Sequence, residues 1–349
     1  MITTEQMRYD RQVAHWLLLC AAVVFAMILL GGVTRLTHSG LSIVEWKPLL
    51  GAIPPLTEQD WQSTFEKYKQ FPEYQKVNLG MGLDEFKGIF MYEYLHRLLG
   101  RLIGVLFALP LIYFVVRRRL RPGLAPGLVV LFIIGALQGL LGWYMVKSGL
   151  VDNPRVSQYR LTAHLGVAVA LYACMLWLAF DLLFAKNDIA RRTRPPSARW
   201  SPLLVALVYL MILSGGLVAG TRAGLAYPTW PLMGNTFIPA GLYATEPAWL
   251  AAFEDVTTIQ FNHRMFAYFL VVLLSSFALQ TYRSASRGTI NGRGKLGAIL
   301  LVVALCVQVG LGISNLLLHV PVALATAHQG GAVMLLTATL FLCHVRLRQ

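Results

Sequence analysis

An all-α integral membrane protein of eight transmembrane helices, built as two four-helix bundles, is the fold class this sequence predicts. Three observations predict it. First, the 349 residues are 56% hydrophobic with a mean hydropathy of +0.59, too apolar for a soluble domain. Second, apolar runs near the roughly 20 residues needed to cross a bilayer recur eight times. They cover 16–33, 89–116, 124–146, 161–184, 203–219, 261–279, 296–318 and 322–343. Third, the second half of the chain repeats landmarks of the first in the same order.

The repeat is read position by position. Gly31-Gly32 ends the first span as Gly215-Gly216 ends the fifth. Gly40-Leu41 and Trp46 return as Gly224-Leu225 and Trp230. His96-Arg97 on the second span matches His263-Arg264 on the sixth. Gln138 and Gly142 match Gln308 and Gly312, and Thr162-Ala163-His164 matches Thr326-Ala327-His328. Four spans per half is an even number, so both halves insert in the same sense. That predicts a pseudo-twofold axis along the membrane normal, with one bundle in 1–190 and the other in 191–349.

The net charge of +14 does not point to nucleic acid. Most Lys and Arg fall in the two tails and the 2–3, 4–5 and 6–7 connections, densest at Arg117-Arg118-Arg119, Arg191-Arg192-Thr193-Arg194 and 283–295. The positive-inside rule then predicts that both termini are cytoplasmic. The short N-terminal tail lacks an Arg/Ser-rich presequence or a cleavable signal, which favours a bacterial inner membrane. The four cysteines, Cys20, Cys174, Cys306 and Cys343, lie in or at the ends of spans without a CxxC and read as small hydrophobes.

The long outer loop, about 34–88, opens a short helix at Thr57-Glu58-Gln59-Asp60, which resembles a capping box. Pro72 is expected to stop that helix. Trp61, Phe65 and Tyr68 share one face of it, suited to packing or to the membrane surface.

The chemistry sits in DEFKGIFMYEYLHRLLGR, residues 84–101. Glu93 precedes His96 by three residues, so both look from one helix face. Gly100 and Gly104 leave room for a large flat group. An ionisable residue in a membrane span reads as functional by default. Each half supplies two histidines, on its second and fourth spans, all near the outer ends. Without a cysteine or carboxylate set for zinc or di-iron, paired imidazoles on facing helices imply haem iron. The natural pairs are His96 with His164 and His263 with His328. His15, His38, His319 and His344 lack repeat partners and read as interfacial.

All four ligand candidates lie at one depth, which argues for two side-by-side sites and against an electron wire across the bilayer. The halves differ at one position: Glu93 is replaced by Gln260. Gln keeps shape and hydrogen bonding but does not exchange protons. The asymmetry suggests that one haem is a substrate and the other a permanent cofactor. Against this stands a Glu93 that only orients a ligand or pairs with Arg97.

These segments resemble the haem A synthase family. The resemblance spans essentially the whole chain: the GGVTRLTHSGLSIVEWKPLLGAIPP block, residues 84–101, LTAHLG, AGLAYPTWPLMG, FNHR and TAHQGG. It implies oxidation of the C8 methyl of haem O to a formyl group, giving haem A for cytochrome oxidase. It implies substrate haem on His96 and His164, haem b iron on His263 and His328, and Glu93 as the essential carboxylate. Haem O synthase and an electron-transfer partner follow by the same resemblance, and an oligomer fits it too. Arg97 and Arg264, each following a ligand, are candidates for haem propionates, although snorkelling to the interface explains them as well. The cysteine pair that some relatives carry in the first outer loop is missing, which matches the cysteine-free type. The alternatives are a non-enzymatic di-haem b-type membrane cytochrome or haem-binding assembly protein, and a transporter of haem or quinone.

Overall fold

The computed structural model describes residues 4–46, 50–151, 153–184 and 196–348. Eight helices are long and apolar enough to cross a membrane among them. They are α1 (Thr4–Leu36), α2 (Leu83–Val116), α3 (Leu124–Lys147), α4 (Gln158–Leu183), α5 (Ser201–Thr221), α6 (Val256–Ser286), α7 (Gly292–Leu317) and α8 (Val322–Leu347). Each predicted span coincides with one of them, two running one residue past the helix end at Phe184 and Leu318, and several helices run past the apolar core into polar turns. α1 starts a dozen residues early because Glu5, Gln6 and Arg8 still favour helix outside the lipid. The 190/191 division and the Arg191–Arg194 cluster lie outside the described residues.

In the first half, α1 packs on α2 and α4, and α3 on α2 and α4. In the second, α5 packs on α6 and α8, and α7 on α6 and α8. The halves meet through α4 with α5, α8 with α1, and α4 with α8. Lipid tails are as apolar as leucine, so close packing carries helix association here. Small residues permit it at matched places. A Cβ on Gly166 would lie 2.8 Å from Leu213, and one on Gly330 would lie 2.7 Å from Leu29. Gly216 likewise faces Thr162, and Gly32 faces Gln329.

α2 contains Pro110, which cannot donate to the Leu106 carbonyl one turn back. A bare carbonyl in hydrocarbon costs free energy unless something else bonds it. Trp16 Nε1 of α1 donates to Leu106 O at 2.9 Å and fills that role. Near the N-terminal end of α1, Asp10 pairs with Arg121 at 2.6 Å, tying α1 to the turn between α2 and α3.

The outer loop forms the expected short helix, Glu58–Tyr68. Thr57 Oγ1 accepts from Asp60 N at 3.1 Å, and Asp60 Oδ2 accepts from Thr57 N at 3.1 Å. Such a cap contributes about 1 kcal/mol. That helix ends before Pro72, as expected, but Pro72 also opens a further turn of helix, Pro72–Lys76, because proline suits a first helical position. The shared face of the longer helix packs on α2 and not on lipid. Tyr68 stacks on Phe86 with centroids 5.0 Å apart, and Trp61 meets Phe90 edge-on at 5.0 Å. The loop is thus clamped over the N-terminal end of α2.

Candidate functional site

Each of the four histidines rests on a glycine of a neighbouring helix. A Cβ on Gly31 would sit 3.0 Å from His96 Cε1, and one on Gly142 would sit 2.8 Å from His164 Cε1. In the second half Gly312 meets His328 at 2.8 Å and Gly215 meets His263 at 3.5 Å. No side chain fits beneath the first three rings without displacing them. The sequence therefore spends glycine where an imidazole must lie flat against the next helix. His96 and His164 are near enough to interact electrostatically, and so are His263 and His328. The rings are partly exposed, not sealed in the core.

The ring nitrogens are under-committed. Nδ1 of His96 and His164 is buried without a hydrogen-bond partner, while His263 Nδ1 meets Ser214 Oγ at 3.0 Å. A buried nitrogen without a partner asks for an explanation, and a role in binding a further group is one. Among the described residues no group of three His, Cys, Asp or Glu could hold a metal ion alone. Paired imidazoles with no thiolate and no third protein ligand grouped with them suit haem iron. Gly104, with nothing within 4 Å of its would-be Cβ, leaves open space on the same helix.

Glu93 is 3% exposed and fully bonded. Its Oε2 accepts from Ser42 Oγ and from Ile43 N, both at 2.8 Å. Its Oε1 accepts from Arg97 Nη2 at 2.6 Å and from Arg97 Nε at 3.1 Å. Arg97 also donates to Ile43 O at 2.8 Å and to Glu45 O at 3.2 Å, and its guanidinium lies over Trp46. The pairing of Glu93 with Arg97 is therefore present, and together they pin the turn after α1.

The second half builds the same turn with opposite polarity. Arg264 donates to Tyr227 O at 2.8 Å and to Leu232 O at 3.2 Å. Gln260 Nε2 donates to Tyr227 O at 3.2 Å, where Glu93 accepts from Ile43 N. Ala226 stands where the first half has Ser42, so the hydroxyl disappears together with the carboxylate it serves. Both arginines direct donors to loop carbonyls at the rim of the histidine pairs.

The chain matches the family described as "Cytochrome oxidase assembly protein" (COX15-CtaA) over residues 14–340. A protein of Nitrosospira multiformis named "Heme A synthase" is 52% identical over 349 residues, covering 99% of this chain and 97% of that one. One of the same name from Nitrosomonas eutropha is 51% identical over 335 residues, covering 95% and 92%. A third, from Paramagnetospirillum magneticum, is 49% identical over 337 residues, covering 96% and 93%. The chain belongs to the COX15-CtaA family.

Within that family assignment, the structure adds residues that sequence reasoning missed. Ser42 was legible in principle, since comparing the repeats shows Ser42 against Ala226 as it shows Glu93 against Gln260. Glu73, buried in the outer loop, has no repeat partner to announce it. His38 and His344 have polar surroundings of their own. His38 Nδ1 lies 3.5 Å from Arg222 Nη2, and His344 Nε2 lies 2.9 Å from Asp181 Oδ1. Burial, with the charges of Arg222 and Arg35, holds His38 below the usual histidine range.

Proposed function

We propose that this chain is a haem A synthase, oxidising the C8 methyl group of haem O to a formyl group to give haem A for cytochrome oxidase. The observation that carries the reading is the pair of histidine sites on matched glycine floors, only one of which has a carboxylate beside it. His96 and His164 hold the substrate haem. His263 and His328 hold a permanent haem b, whose iron supplies one-electron redox chemistry when bound. The near-full-length likeness to proteins named for this activity supports the assignment.

Glu93 lies about one turn before His96 on α2, on the same helix face. Bonded by Ser42, Ile43 N and Arg97, it accepts a proton from the methyl group or stabilises positive charge developing on that carbon. Arg97 and Arg264 fix the loops at the haem edge and direct their remaining N–H groups to propionates. Haem O synthase and a membrane electron carrier are the partners this chemistry requires for supply of substrate and removal of electrons.

The architecture we infer is two four-helix halves, 1–190 and 191–349, about a pseudo-twofold axis along the membrane normal. It is supported by the matched packing pairs and by the meeting of His38 with Arg222, which occupy equivalent turns at φ 55° and 59°. The inferred location is a bacterial inner membrane with both termini in the cytoplasm. Tags on either end are expected to be cut by protease added to inverted vesicles and spared in intact spheroplasts. A tag cut from the outer side would overturn this topology.

The test of function is the pigment. Extracts of the purified protein, separated by chromatography and identified by mass spectrometry, should contain haem B together with haem O, hydroxylated haem O or haem A. Haem B alone, at two per chain, would instead make the protein a di-haem cytochrome.

A further inference from the structure

Every group assigned above to the substrate methyl belongs to the first half, and so does the long outer loop. That loop buries a second acid. Glu73 is 4% exposed and lies in the short helix Pro72–Lys76. Tyr68 Oη donates to Glu73 Oε2 at 3.3 Å, and Asn78 Nδ2 donates to Tyr68 Oη at 2.7 Å. On one side the acid lines a cavity of about 440 Å³ at the outer junction of the two halves. That is room for several waters. His38, Lys76, Arg155 and Arg222 line the same cavity. On the other side Glu73 and Tyr68 both lie within electrostatic reach of Glu93.

Burial pushes Glu73 up to about 8, the charge of Glu93 pushes the same way, and the Tyr68 hydrogen bond opposes them. A carboxyl in that range holds its proton for most of the time at pH 7 and half of the time near pH 8, close enough to neutral to take up and release a proton in turn. Glu93 itself is walled from the cavity, with its four bonds made to Ser42, Ile43 and Arg97. A proton arriving there needs a second acceptor before Glu93 can work again.

We propose that Glu73 is that acceptor, a relay that takes the proton from Glu93 and releases it to water in the outer cavity. This rests on the reading of Glu93 as the acid–base group. The O–H bond on Glu93 breaks and one forms on Glu73 through bridging water. The Glu73 O–H then breaks in turn and the proton leaves in the cavity, with no electrons exchanged. Among the described residues, Tyr68 from the longer loop helix and Glu93 from α2 act on Glu73, and Lys76 from its own helix, His38 after α1, Arg222 after α5 and Arg155 before α4 line the cavity with it. The second half has Gln260 in place of Glu93 and no buried acid in its outer loop among the described residues, so acceptor and relay occur together or not at all.

The experiment uses full-length Glu73→Gln and Glu73→Asp in membranes of cells that make haem O, with initial rates of haem A formation measured at external pH 6 to 9. Glu73 accepts a proton only when ionised, so the wild-type rate should rise with pH through about 8. Glu73→Gln should lower the rate about tenfold or more and abolish that rise, with haem b content and protein level unchanged. Glu73→Asp should recover most of the rate and the rise. A Glu73→Gln protein with wild-type rate and pH profile would overturn the relay. So would loss of haem b or of protein in both variants, which would make Glu73 a structural group. Glu93→Gln run alongside separates the two readings. If it stays active, the role of Glu93 fails. If it is inactive while Glu73→Gln is normal, only the relay fails.

Discussion

Glu93→Gln should reduce haem A formation to a trace while leaving haem b on His263 and His328. Loss of a general acid–base group typically costs about 10²–10⁴-fold, and loss of fixed charge in a dry site adds to this. The geometry also shows that the amide is not a silent replacement. Glu93 accepts four hydrogen bonds, two on each oxygen. An amide NH2 on either side meets donors it cannot pair with, at about 1–3 kcal/mol for a buried unsatisfied group. The second half shows how a glutamine is accommodated, with Ala226 replacing the hydroxyl and a loop carbonyl accepting from Gln260. Glu93→Gln combined with Ser42→Ala removes one conflicting donor and should raise protein yield above the single variant. It should not raise haem A. Quantifying haem A, haem O and haem B in cells making haem O reads both effects. Near-normal haem A from either variant would reduce Glu93 to a partner of Arg97 and leave the reacting group unidentified.

The spans, the repeat and the four histidines were legible because each is written in residue type at fixed order. A run of apolar residues has one outcome in lipid, and each candidate histidine of the first half has a counterpart at the matching place in the second. Less legible was everything decided by backbone direction. Nothing in the letters says that Ile43 presents its N–H to Glu93 while Tyr227 presents its carbonyl to Gln260, since the same turn can offer either group. The long outer loop was opaque for a related reason. Its capping box could be read locally, but its place over α2 depends on Phe86 and Phe90, which are distant in sequence. Glu73 looked like one acid among several in that loop, and only its burial by the fold sets it apart.

Replacement of His263 or His328 by alanine should strip haem b, because each leaves the iron one imidazole short. A haem fills a large part of a four-helix interior, so the second half should also lose stability. Truncating large buried groups from a core typically costs about 3–5 kcal/mol. The glycine floor allows the same site to be attacked without touching a ligand. A Cβ at Gly312 would lie 2.8 Å from His328 Cε1, well inside contact distance. The imidazole is not the far end of a flexible chain, so Gly312→Val must push the ring from its place or part α7 from α8. Haem b should therefore fall in Gly312→Val nearly as far as in His328→Ala, although both histidines remain. Gly310, two residues earlier on α7 with nothing within 4 Å of its would-be Cβ, provides the control. Gly310→Ala should keep haem b and the low-spin spectrum of a bis-histidine site. Haem b content per chain, read from the spectra of the purified variants, decides the matter. Full haem b with an unchanged spectrum in His328→Ala would remove His328 from the iron, and the same result in Gly312→Val would show that the floor does not position it.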